Sequence, residues 1–354
     1  MPTLAPWLRR ALAAAAAAVG AVGALTLAAQ PAAADPPRPT DYRSTVTGVE
    51  PAVEAIDARV VGGDAFLELE VAADHEVVVL GYGDEPYLRF LADGTVERNG
   101  RSEATYLNDD RQGAVDLPPQ ADNTAEPEWE TVAGNGTYAW HDHRIHWMGS
   151  GTPPGAEPGE AVQAWTVPLT VDGALTEVRG ELVLVEGISP LPWFALALAG
   201  LVVVVVVGRR RPQTAAAVAT LVAAAGAVVA GWAQHAAAPA GSGADPLVVA
   251  VPLAGLGAAL AAVALRTSRV GPAATLAAAA AVIGWAVLRA SVLWTPVLPT
   301  DLPWALDRAA TALGLGLSVG AAGLVVWSGG LAVAPQRRVG TSAESAEPAA
   351  PPVP

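Results

Sequence analysis

The sequence predicts an all-β, immunoglobulin-like extracytoplasmic domain followed by an α-helical membrane bundle of about five spans. Three observations carry that prediction. Short alternating apolar segments, separated by turn residues, recur between residues 40 and 187. Beyond Ile188, long Ala/Val/Leu/Gly runs reach the length needed to cross a bilayer. Charge divides at the same place: residues 35–188 hold 29 acidic residues against nine arginines, a net −20, while residue 189 onward holds five acids and nine arginines.

Residues 1–34 have the pattern of a secretory signal. Arg9 and Arg10 supply a basic start, residues 11–29 an apolar stretch, and Ala32-Ala33-Ala34 the small residues of a cleavage site, so the mature chain is expected to begin at Asp35; the apolar stretch is long for a signal, and the alternative is an uncleaved first membrane helix. Residues 35–45 form a Pro-rich linker and residues 46–187 the β-domain. Within it Leu67, Leu69 and Val71 alternate with Glu68 and Glu70, while Val77-Val78-Val79-Leu80 is apolar throughout, as in a strand covered on both faces. Asp93-Gly94 and Asp172-Gly173 mark two hairpin turns. No stretch of this domain has sustained helical periodicity, and 108–128 and 149–160 are expected to be long irregular loops.

Residues 188–334 contain the spans, expected at 190–207, 215–234, 247–265, 272–294 and within 304–333. Arg209-Arg210-Arg211, then Arg266 and Arg269, then Arg337-Arg338 follow alternate spans, which places them in the cytoplasm and the β-domain outside. Residues 335–354, rich in Pro, Ala and Ser, are expected to be a disordered cytoplasmic tail.

Composition narrows the chemistry. The acidic outer half repels nucleic acid and concentrates cations. The chain has no cysteine, so disulfides, thiolate metal sites and cysteine nucleophiles are excluded. No phosphate loop, Ser/His/Asp arrangement or distinctive carboxylate pair stands out, and an enzyme is the weaker class.

One cluster attracts attention: Trp140-His141-Asp142-His143-Arg144-Ile145-His146-Trp147-Met148 holds three of the five histidines. On a strand, His141 and His143 would share a face. Imidazole suits copper, zinc and nickel, and a thioether suits Cu(I). His141, His143, His146 and Met148 are therefore candidate ligands for copper, with zinc as the alternative, and Asp142 is a further donor. The same residues also fit a structural network in which Asp142 pairs with Arg144, or the recognition of another ligand. A second segment, Gly81-Tyr82-Gly83-Asp84-Glu85, reads as a turn with aromatic and acidic side chains. Inside the membrane half, Arg289 lies near the outer end of the fourth span, with Asp301 or Asp307 as partners or with its head snorkelling to the interface. Gly316 and Gly320, four apart, offer a close helix-packing face. No His/Met ladder or row of acids marks a conduction path. Expected partners are the lipid bilayer, and a metal ion or an envelope protein.

The segments 78–89, 104–108 and 140–148, with 297–308 in the last helix pair, resemble a family of actinobacterial membrane proteins of uncharacterised activity. The resemblance implies the shared layout and supplies no reaction. The layout is also similar to that of fused copper-resistance envelope proteins, although this chain has no His at the expected mature start and no His/Met set within its spans.

Overall fold

The computed structural model describes residues 35–239, 242 and 245–329; the expected signal peptide and C-terminal tail lie outside them. The first half is built from β1 (Tyr42–Glu50), β2 (Ile56–Val61), β3 (Phe66–Val71), β4 (Val77–Leu80), β5 (Pro86–Phe90), β6 (Val96–Asn99), a short helix α1 (Glu103–Leu107), β7 (Trp129–Ala133), β8 (Thr137–Trp140), β9 (Ala161–Val171) and β10 (Ala174–Leu184). They form a seven-stranded sheet in the order β1-β10-β9-β4-β5-β6-β7 and a three-stranded sheet β2-β3-β8, with every strand pairing antiparallel.

The pattern of side chains explains the layers. Along β9, Trp165, Val167, Leu169 and Val171 are buried at every second position, and Val178 and Leu182 of β10 do the same. They meet Leu67 and Leu69 of β3 and Trp140 of β8 in one core, so the two sheets close on each other. β4 lies between β9 and β5, with Val77 and Val79 buried and Val78 and Leu80, on its other face, only half-buried. Its pairing with β9 ends at Leu169, one residue before Pro168, which has no N–H to give. Asp172 and Gly173 both adopt positive φ, 49° and 80°, and close the β9–β10 hairpin.

Two details differ from expectation. α1 interrupts the all-β reading: five residues are too few to show a period, but Ser102 caps it by accepting from the Ala104 N–H. The expected linker is also partly structured. β1 starts at Tyr42, and Thr40 forms a two-hydrogen-bond antiparallel bridge with Val297, each N–H donating to the other's carbonyl at 3.1 Å.

The second half holds five helices long and apolar enough to cross a membrane: α2 (Leu191–Gly208), α3 (Pro212–Ala236), α4 (Leu247–Ala264), α5 (Gly271–Leu288) and α6 (Trp304–Trp327). α6 packs on α2, α3 and α5, and a single 3-10 turn, Ala290–Leu293, follows α5. Gly316 is required where α6 meets α2, since a Cβ there would sit 1.9 Å from the Ala197 carbonyl oxygen. Large apolar side chains such as Leu198, Val206 and Trp232 point outward, as they do when the surrounding solvent is hydrocarbon.

Candidate functional site

The histidine segment does not continue a strand. β8 ends at Trp140 and residues 141–148 form a turn, so His141 and His143 do not share a strand face as expected. The ladder with β3 runs only as far as the Leu67–Trp140 pair, and the chain leaves the sheet there.

Each polar side chain then finds its own partner. Buried His141 stacks on Phe66 at 4.1 Å. Its Nδ1 is 2.5 Å from the Ala65 carbonyl oxygen and its Nε2 is 2.9 Å from that of Asp35. Burial pushes its pKa below the ordinary histidine value, and the two carbonyls offset this only in part. Asp142 is fully buried and accepts four hydrogen bonds: from Trp140 Nε1 at 2.9 Å and from Arg144 N, Nε and Nη2 at 3.0, 2.8 and 2.7 Å. Burial alone would raise its pKa, but the Arg144 guanidinium and these bonds hold the carboxyl below its usual range. Arg144 also donates to the Leu80 carbonyl and lies over the Tyr82 ring at 5.1 Å.

His143 stacks on Tyr82, and its backbone N–H donates to the Tyr82 hydroxyl at 2.9 Å. That hydroxyl donates in turn to Asn108 Oδ1. The His143 Nε2 is 3.0 Å from the Asp110 carbonyl oxygen. Gly113 packs on the ring so closely that a Cβ would sit 2.7 Å from Cε1. His143 and His146 meet edge to face at 5.5 Å. The ring of His146 is wholly buried, its Nδ1 lies 3.4 Å from the Trp147 carbonyl, and its Nε2 has no partner among the described residues. Burial lowers its pKa to about 3, so the ring is neutral. Met148 is 40 % exposed at the surface.

The structure thus pairs His143 with His146, ties His141 to Ala65 and Asp35, and leaves Met148 outside. Among the described residues no group of three or more His, Cys, Asp or Glu is placed to hold a metal ion. Sequence reasoning missed Asp35, which lies 106 residues from His141 and has no motif of its own. It missed the pair between buried Asp64 and half-buried Arg111, at 2.6 Å, for the same reason. Glu85, read as a turn residue, is buried and accepts from Ser102 Oγ at 2.6 Å and Gly83 N at 2.9 Å.

In the helical half, Arg289 does not snorkel. Its side chain is 7 % exposed and its Nη2 donates to both carboxylate oxygens of buried Asp307, at 2.8 and 3.1 Å. Arg308, also buried, donates to the carbonyls of Val292, Thr295 and Pro296 and so clamps the segment joining α5 to α6. No protein-family model, curated protein or solved structure matches the chain.

Proposed function

We propose that this chain is a membrane-anchored module that presents an immunoglobulin-like β-sandwich outside the cell to an envelope partner, and that its histidine segment is a folding network. One observation supports this above the rest: both ring nitrogens of His141 and the Nε2 of His143 face backbone carbonyls, while Asp142 is used by Arg144 and Trp140. Asp142 would have to leave these partners to bind a metal and His141 has carbonyls at both nitrogens, while His143, held through Nε2 alone, keeps its Nδ1. The orientation rests on the arginines, since Arg209–Arg211 and Arg266 with Arg269 lie in the two short turns at the bundle end away from the Thr40–Val297 bridge. Signal cleavage before Asp35 would leave the mature start beside His141.

Copper or zinc at His143 and His146, completed by Met148, is the second reading. It is favoured by one fact, the neutral and unpartnered Nε2 of His146. Titration of the full-length protein with Cu(II), Cu(I) and Zn(II) by calorimetry separates the two. The network reading expects only weak association, unaltered in His141→Ala/His143→Ala. Binding tighter than about 1 μM, abolished in that variant, overturns it.

The orientation has its own test. The chain lacks cysteine, so a single Cys at exposed Asn135 reports its side cleanly. Labelling by a membrane-impermeant maleimide on intact cells is expected, and protection from it reverses the topology.

A further inference from the structure

Where the β-domain meets the ends of α3, α4 and α5 there is a cavity of about 330 Å³. Arg289, Trp285, Gln234 and Ser291 line it from the bundle, and residues 36–39 line it from the other side. Arg289 is the unusual member. It is more than nine-tenths buried, its Nη2 is used by Asp307, and its Nε and Nη1 have no hydrogen-bond partner among the described residues. Buried guanidinium donors left in this state require an acceptor, and a cavity wall is where one would arrive.

The charges at the cavity balance, Arg38 and Arg289 against Asp245 on the wall and Asp307 behind it, so it is the free guanidinium donors and not a net charge that call for an acceptor. Its rim is apolar on the side of the helices: Leu247 and Leu288, which also line it, are 51 % and 72 % exposed. A polar, arginine-bearing interior beside an outward-facing apolar rim at the helix ends is the arrangement an amphiphile satisfies, with the head inside and the chain in the hydrocarbon.

We infer that this cavity binds the phosphate head group of one anionic lipid, held by the free Nε–H and Nη1–H groups of Arg289 and by Arg38. Trp285 backs the site, its ring 4.7 Å from the Arg289 guanidinium and its Nε1 fixed by the Val248 carbonyl at 3.0 Å. Residues 36–39 close it from above. Asp35, directly before them, is bonded to His141, so the head group would touch the same segment that the histidine network holds.

The test uses the full-length protein in nanodiscs of phosphatidylcholine containing a minor fraction of phosphatidylglycerol, followed by native mass spectrometry. One retained phosphatidylglycerol, preferred at least tenfold over phosphatidylcholine, is expected. The preference should fall at least fivefold in Arg289→Gln/Asp307→Asn, which removes both charges of the pair together. If that variant does not fold, Arg38→Gln, on an exposed residue outside the bundle core, carries the comparison and should weaken retention severalfold. Equal retention of both lipids, or an unchanged preference in the variants that fold, overturns the site. Inorganic phosphate added to lipid-depleted protein in detergent provides the second arm. Stabilisation equal to that by phosphatidylglycerol would overturn the lipid assignment in favour of a soluble oxyanion.

Discussion

Replacing Asp142 by Asn removes one charge from the centre of the histidine segment while hardly changing its shape. The asparagine Oδ1 can still accept from Arg144 N and Nε, but its Nδ2 would stand where Oδ2 now accepts from Trp140 Nε1 at 2.9 Å and Arg144 Nη2 at 2.7 Å. Donors would then face donors in a fully buried position. Breaking a buried ion pair from one side costs about 3–5 kcal/mol. Arg144 is 20 % exposed and keeps the Leu80 carbonyl, which places the expected loss near the lower end, about 3 kcal/mol. Hydrogen exchange of the full-length protein in micelles reads this directly, because protected β3 and β8 amides should exchange about a hundredfold faster while those of α5 stay unchanged. The pH at which this is measured matters. The Asp142 carboxyl is held low in the fold, so its contribution is complete above the unfolded value near 4 and is lost as pH falls through the folded one. At pH 7 the full effect is therefore present. An acceleration of less than about fivefold, near 1 kcal/mol, would refute the network reasoning. So would equal losses for Asp142→Asn in a wild-type and an Arg144→Met background, since coupled residues cannot be additive.

Acid should weaken the β-domain before Asp142 titrates. His141 and His146 are both depressed, the latter to about 3, so the folded His146 ring stays neutral while the unfolded one takes up a proton below about 6.5, and His141 adds in the same direction. Stability is thus complete above that pH and declines below it; from pH 7 to pH 5 the His146 ring alone accounts for roughly 2 kcal/mol. Denaturant midpoints across this range should fall in the wild type and fall less in His146→Gln, and a flat wild-type profile contradicts the burial argument. In the bundle, Gly316→Ala should cost about 1–3 kcal/mol by forcing α6 away from α2. Gly323→Ala, with nothing within 4 Å of the added carbon, is the neutral control in thermal unfolding, and equal effects would refute the close contact.

Much of the fold was legible because its signals are local. The Asp93-Gly94 and Asp172-Gly173 turns close hairpins where expected, and the helices lie on the apolar runs that announce them, although α5 stops at Leu288 where the run was expected to continue to 294. What escaped depends on partners far away in the chain. That β1 pairs with β10, and that β2 and β3 leave the main sheet to join β8, is set by packing and not by any stretch of residues. The site was legible as a place and not as a geometry. The histidines were conspicuous, yet the end of β8 at Trp140 decides where they point, and that follows from where its ladder with β3 runs out. Arg289 was marked by its rarity in an apolar segment. Only the return of α6 chose Asp307 over Asp301 as its partner.

The bridge between Thr40 and Val297 also has a consequence in time. Its two residues are 257 positions apart, and synthesis at about 5–20 residues per second separates them by roughly 10–50 s. The β-domain can complete its own core well within that interval, since strands β1 to β10 are all made before α2, the first of the five long apolar helices. Thr40 has to wait for the connector between the last two helices, which Arg308 clamps from the bundle side. Closure of the bridge therefore reports that both halves have been made and inserted. A chain halted before its last span would carry a finished sandwich on an unfastened anchor, with the Thr40 backbone left without its bridge partner.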